Sequence, residues 1–203
     1  EKQKRAARRA NWWHYHWGLV VAAVVLIASV VYVIHGLNTT IDPDYSVAVV
    51  TADTLPDASV QRLQAALEDY GQDRNRDGVV LVEVNVYTWS ADASLTDMNS
   101  QMAGATRLNT DLANGYSGIW ILADPAGFEE AYGALSEAFG DDWESCLYSW
   151  TAVPALADAD LGSYDTSADG SASQSVQELF SRYKIAVLHR EDGLWGALTG
   201  QSQ

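Results

Sequence analysis

The sequence predicts an α/β domain: a mainly parallel sheet with helices on both faces, preceded by one transmembrane helix. Three observations predict it. Residues 18–37, GLVVAAVVLIASVVYVIHGL, are twenty positions without Asp, Glu, Lys or Arg, and a helix of that length rises roughly 30 Å, the thickness of a bilayer's hydrocarbon core. From Tyr45 to Phe139, short apolar runs rich in β-branched residues alternate with stretches of helical periodicity, the pattern of helices crossing over a parallel sheet. The charge also divides at the apolar segment: residues 1–37 carry +4 and the remainder −19, which together make the −15 of the 203-residue chain.

The division sets the organisation. Residues 1–17 are a basic, aromatic arm holding Lys2, Lys4, Arg5, Arg8 and Arg9. Basic charge immediately before an apolar helix favours retention in the cytoplasm, and Trp12, Trp13, Tyr15 and Trp17 suit the headgroup boundary. Residues 18–37 read as an uncleaved signal-anchor, since VYVIHGL at its end offers no small-x-small cleavage site. A linker, 38–44, leads to an extracytoplasmic domain at 45–192, followed by a frayed tail at 193–203. The expected location is a single-pass cell-membrane protein with its N-terminus inside and its main domain outside. An acidic domain repels phosphate backbones, which excludes nucleic acid as a partner. The one cysteine, Cys146, permits no intrachain disulfide and reads as a small buried hydrophobe.

Within the domain, Tyr45–Thr51 (YSVAVVT) reads as a buried strand. Pro56 and Asp57 open a helix whose stripe is Val60, Leu63, Ala66 and Leu67, ended by Gly71. Residues 79–89 (VVLVEVNVYTW) form the second strand, with Val80, Val82, Val84 and Val86 on one face. Residues 95–114 form a long helix with Met98, Met102, Ala105, Leu108 and Leu112 as its core stripe. Residues 118–123 (GIWILA) are the third strand, and residues 128–139 a helix. Residues 154–173, rich in Ala, Asp, Gly and Ser, read as an extended surface loop. A helix at 175–183 and a strand at 184–189 (KIAVLH) close the domain.

One motif is sharp. Asp73-Arg74-Asn75-Arg76-Asp77-Gly78 fits the first half of a calcium loop, with Asp73, Asn75, Asp77 and the Val79 carbonyl as ligands. Alternate residues turn three side-chain oxygens inward, and glycine permits the bend. The second half departs: the twelfth position, which calls for a bidentate Glu, is Val84. The expectation is a weak, structural calcium site, against the alternative of a polar turn whose Asp and Asn bond their own backbone.

Catalytic groups are sparse. Of four histidines, only His189 lies beyond the apolar segment, so a zinc site on paired histidines is excluded for the domain. No G-x-S-x-G, G-x-x-x-x-G-K-[ST] or G-x-G-x-x-G is present. The sequence therefore points to a protein that is not an enzyme. Ligands of open α/β sheets bind beyond the carboxyl ends of the strands, which makes Asp53, Thr54, Trp89, Ser90 and Asp124 the candidate ligand-binding residues.

The order YSVAVVT, helix, VVLVEVNVYTW, long helix, then LNTDLANGYSGIWILADPAGFEEAYGAL resembles the first lobe of extracellular solute-binding proteins of the type 2 periplasmic-binding fold. The whole chain is also similar to small, uncharacterised single-pass membrane-anchored proteins of gut anaerobes. The first resemblance implies one periplasmic-binding-like lobe, and the chain has room for only one, so no clamshell closes within it. Two functions follow as expectations. One is a non-enzymatic domain recognising a protein partner or envelope component. The other is a one-lobe binder of a sugar or peptide, accessory to a transporter.

Overall fold

A strand that is apolar on both sides must be covered on both sides, and β1, Tyr45–Thr51, has all seven residues buried. Around it the computed structural model, which describes residues 2–38, 42–92, 98–165, 173–188 and 193–200, builds an α/β fold. Within 2–38, side chains are described at 12–13 and 16–32. The chain divides into two compact units, Glu1–Ile41 and Asp42–Gln203.

The first unit is α1, Lys2–Asn38, a helix of 37 residues. Its apolar side chains are exposed around the whole circumference, Leu19 at 71 %, Leu26 at 65 % and Ile27 at 60 %. Trp12 stacks on His16, ring centroids 4.9 Å apart, and the Trp12 carbonyl lies 2.9 Å from His16 Nδ1. Among the described residues, no helix is long and apolar enough to cross a membrane. Residues 33–37 of the apolar segment lie outside the described side chains.

In the second unit, α2 is Asp57–Glu68, β2 Val82–Thr88, α3 Met98–Asn114 and β3 Ile119–Leu122. Then come α4, Pro125–Tyr132, and α5, Ala134–Phe139. They are followed by β4, Tyr148–Ser149, α6, Pro154–Ala157, and the hairpin β5, Ser163–Asp165, with β6, Ser173–Ser175. The chain closes with α7, Val176–Phe180, β7, Lys184–Val187, and α8, Leu194–Thr199. The main sheet has the order β2-β1-β3-β7-β4. β1 pairs in parallel with β2 and β3, whereas β7 is antiparallel to both β3 and β4. β7 alone therefore opposes the common direction, and the sheet is mostly parallel.

Side-chain alternation divides the core. Val47, Val49, Ile119, Ile121 and Ile185 face one side, packed with Leu63 and Leu67 of α2, Leu156 of α6, Phe180 of α7 and Leu198 of α8. Ala48, Val50, Trp120, Leu122 and Ala186 face the other, packed with Leu108 of α3, Phe128 of α4 and Leu135 of α5. Helices thus cover both faces.

Five expectations are corrected. Met98 and Met102 are 80 % and 64 % exposed, so the core stripe of α3 is Leu108 with the half-buried Ala105 and Leu112. The helix expected at 128–139 is two helices: Gly133 takes φ 65, ending α4, and the Glu129 carboxylate accepts the N–H groups of Leu135 and Ser136 at the start of α5. The expected loop at 154–173 holds α6 and one arm of a hairpin, and buries Leu156 and Leu161 completely. The expected tail contains α8, which buries Leu194, Trp195 and Leu198, each worth about 1.5–3 kcal/mol as removed apolar surface. Cys146 is only half-buried, in a 3₁₀ turn. Residues 95–97 and His189 lie outside the described residues.

Candidate functional site

The carboxyl edge of the parallel strands gathers the expected ligand residues, and four of the five, Thr54 excepted, are engaged within the domain. Trp89 is 7 % exposed. Its ring meets Phe128 edge-on at 6.3 Å and Tyr132 at 5.4 Å. Ser90 is buried; its hydroxyl accepts the Asp92 N–H and its carbonyl accepts from Gln101. Asp124 caps α4, its carboxylate accepting the Gly127 N–H at 3.0 Å. Asp53 accepts from Tyr183 at 3.1 Å, and its own N–H donates to the Thr51 hydroxyl at 3.0 Å. Thr54 is exposed. Tyr183 is 3 % exposed, and burial pushes its phenol well above the ordinary value, with the Asp53 carboxylate adding to the rise.

Lys184 and Ser149 reach the same edge as cross-strand partners, the ammonium donating to the Ser149 hydroxyl at 2.8 Å. No spacing in the sequence connects these two, because β7 and β4 pair only in the folded sheet.

The loop at residues 73–79 is organised from inside. Asp73 accepts N–H groups from Arg76, Asp77 and Gly78 at 2.6, 3.2 and 2.9 Å. The Asn75 side chain accepts the Asp77 N–H, and Asp77 accepts the Val79 N–H. Arg76 and Gly78 both take positive φ, at 62 and 91. Beneath them sits Asp44, 7 % exposed, whose carboxylate accepts the N–H groups of Arg74, Asn75 and Leu81. Burial opposes ionisation of Asp44, but these N–H groups and the Arg74 charge outweigh it and hold the carboxyl below its ordinary value. Asn75 also donates to the Asp42 carbonyl, so the loop clamps the first residues of the domain. β2 starts at Val82, three residues later than its apolar run suggests, and the Leu81 N–H just before it goes to Asp44.

The donors for a cation are Asp73, Asn75, Asp77 and the Val79 carbonyl, and all three side chains already serve the loop's own N–H groups. Val84, at the twelfth position, packs against the core, and Glu83 points to the opposite face, where it accepts from Tyr116 at 2.9 Å. Among the described residues, no group of three or more His, Cys, Asp or Glu side chains gathers to hold a metal ion.

A third place was not read from the sequence. Where the C-terminal half of α3 passes over β2, a cavity of ≈ 320 Å³ is lined by Asn85, Tyr87, Thr106, Arg107, Thr110 and Tyr116, among others. Its floor is a buried polar network. The Tyr87 and Ser117 hydroxyls each donate to Asp111 Oδ2 at 2.6 Å, and the Ser117 N–H donates to Oδ1 at 2.7 Å. Asn85 donates to Ser46, whose hydroxyl lies 3.3 Å from that of Ser117. Burial and the bond to Asp111 push the Tyr87 phenol well up. The Arg107 guanidinium stands over the Tyr87 ring, 5.4 Å from its centre. Helical spacing alone places Arg107 on the polar face of α3, where it looks like any solvated charge.

The chain matches no protein-family model, no curated protein and no solved structure.

Proposed function

We propose that this chain is a membrane-anchored, non-enzymatic protein whose acidic α/β domain lies outside the cytoplasm and recognises a protein partner or envelope component through its surface. The observation that supports this over a ligand cleft is the occupation of the strand ends: Trp89, Ser90, Asp124 and Asp53 are each held by the domain's own packing and hydrogen bonds. The cavity between α3 and β2 lies elsewhere. The exposed apolar side chains between Leu19 and Tyr32 favour an apolar surrounding. The described part of α1 alone does not reach the length and apolarity of a membrane span, so the anchor is proposed from these residues together with the rest of the apolar run at 18–37.

Calcium enters this reading only as a structural ion. Asp73, Asn75, Asp77 and the Val79 carbonyl would hold it, weakly, because the loop's own N–H groups compete for the same oxygens.

The experiment is photo-crosslinking of the full chain in intact membranes, with probes at exposed Tyr70, Val79 and Tyr116, after carbonate washing and protease treatment of sealed cells. A retained, protease-accessible chain that crosslinks one discrete partner supports the proposal. Release by carbonate, protection of the domain in sealed cells, or no discrete adduct from any position overturns it.

A further inference from the structure

We infer that the cavity between α3 and β2 is a binding site for a small organic monocarboxylate with an apolar body, its carboxylate held by Arg107. The inference is independent of the partner reading above and uses other residues.

Among the described residues no carboxylate pairs with Arg107. Arg74, Arg76 and Arg182 likewise show no ion pair, but the Arg74 guanidinium donates to the Asp44 carbonyl, whereas that of Arg107 stands beside a cavity. The ring of Tyr87 holds the guanidinium in place over the cavity, leaving its N–H fork for an acceptor. The nearest acid on its own helix, Asp111, is 4 % exposed, and its oxygens already accept three hydrogen bonds. A planar carboxylate fits such a fork with two parallel bonds. Thr106, Thr110 and Tyr116 also line the cavity, and the two threonine hydroxyls are already bonded to the Met102 and Thr106 carbonyls, which leaves the methyl groups and the ring for the rest of the ligand. The half-buried Asn85 amide, with one N–H on Ser46, keeps a carbonyl and a second N–H for a polar substituent. The site is an open groove edged by exposed Thr106, Thr110 and Tyr116, and its volume lies at the small end of the ~300–1,000 Å³ usual for ligand sites, which suits a small metabolite. Charge restricts it further. Glu83, bonded to the wall residue Tyr116, and Asp111 beneath the floor make a second negative charge unfavourable, so a monoanion is selected over a dianion.

The test is titration calorimetry of the full chain in detergent micelles with sodium phenylacetate, its neutral isostere phenylacetamide, and succinate. Saturable binding of phenylacetate at millimolar concentration is expected, with phenylacetamide and succinate each about tenfold weaker or worse. Arg107→Gln should lose about tenfold in phenylacetate affinity, and Arg107→Lys should restore part of it. Arg107 is exposed, so neither variant should shift the melting temperature, which is checked alongside. Absence of saturable binding, equal affinity for acid and amide, or full affinity in a folded Arg107→Gln overturns the inference.

Discussion

Thr51 and Tyr183, 132 positions apart in the chain, meet through their hydroxyls at 2.6 Å where the carboxyl end of β1 adjoins the segment leading into β7. The Tyr183 phenol also donates to the half-buried Asp53, so Tyr183→Phe removes two hydrogen bonds at once. A loss of about 1–2 kcal/mol is expected in urea unfolding. The phenols of Tyr183 and Tyr87 are both raised from 10.0, burial being the main cause. Their contribution to stability is complete below the unfolded-state value and is lost as pH rises through it toward the folded-state values. Stability should therefore fall above about pH 10, less steeply in Tyr183→Phe and in Tyr87→Phe than in the parent.

Asp44 joins the start of β1 to the loop ahead of β2. Asp44→Ala leaves the N–H groups of Arg74, Asn75 and Leu81 without their acceptor, and about 2 kcal/mol of destabilisation is expected. The carboxyls of Asp44 and Glu129 are both lowered: burial opposes this, and hydrogen bonds from N–H groups, with the Ser136 hydroxyl at Glu129, outweigh it. Such groups stabilise above the ordinary carboxylate range and cease to as pH falls through their folded-state values. An acid titration of Asp44→Asn, followed by tryptophan fluorescence, should show a shallower loss of stability than the parent.

Gly104 brings α3 against β2. A Cβ there would stand 2.1 Å from the Thr88 carbonyl oxygen, which is backbone and cannot swing aside. Gly104→Ala should cost about 1–3 kcal/mol despite the better helix propensity of alanine. A melting temperature equal to the parent's would contradict this.

Trp89 is a core residue, packed on Phe128 and Tyr132. Trp89→Ala should therefore lower stability by about 3–5 kcal/mol, whereas an aromatic platform for a ligand would leave unfolding almost unchanged. Denaturant unfolding distinguishes the two.

Calcium at the 73–79 loop should bind weakly, raising the melting temperature only at millimolar ion. Asp73→Asn should remove that rise while Asp124→Asn keeps it. Calorimetry showing no heat would leave the loop as a self-bonded turn.

The local elements were legible because each rests on near neighbours. The buried run of β1, the stripe of α2, the apolar β3 and the polar turn at 73–78 are all decided by residues within a few positions of one another. So was the mostly parallel α/β class, which follows from their alternation. Only the tertiary structure decided what depends on distant partners. Met98 and Met102 keep perfect helical spacing yet face solvent, since spacing says which residues share a face and not whether anything covers it. Leu156 and Leu161 sit in a polar, small-residue stretch and are wholly buried, because α2, α7 and α8 close over them. The reversal of β7, the engagement of Trp89 and the unpaired charge of Arg107 beside a cavity all come from elements joined across the sheet. Local propensity records none of these, because each is an interaction between segments whose meeting is itself the product of folding.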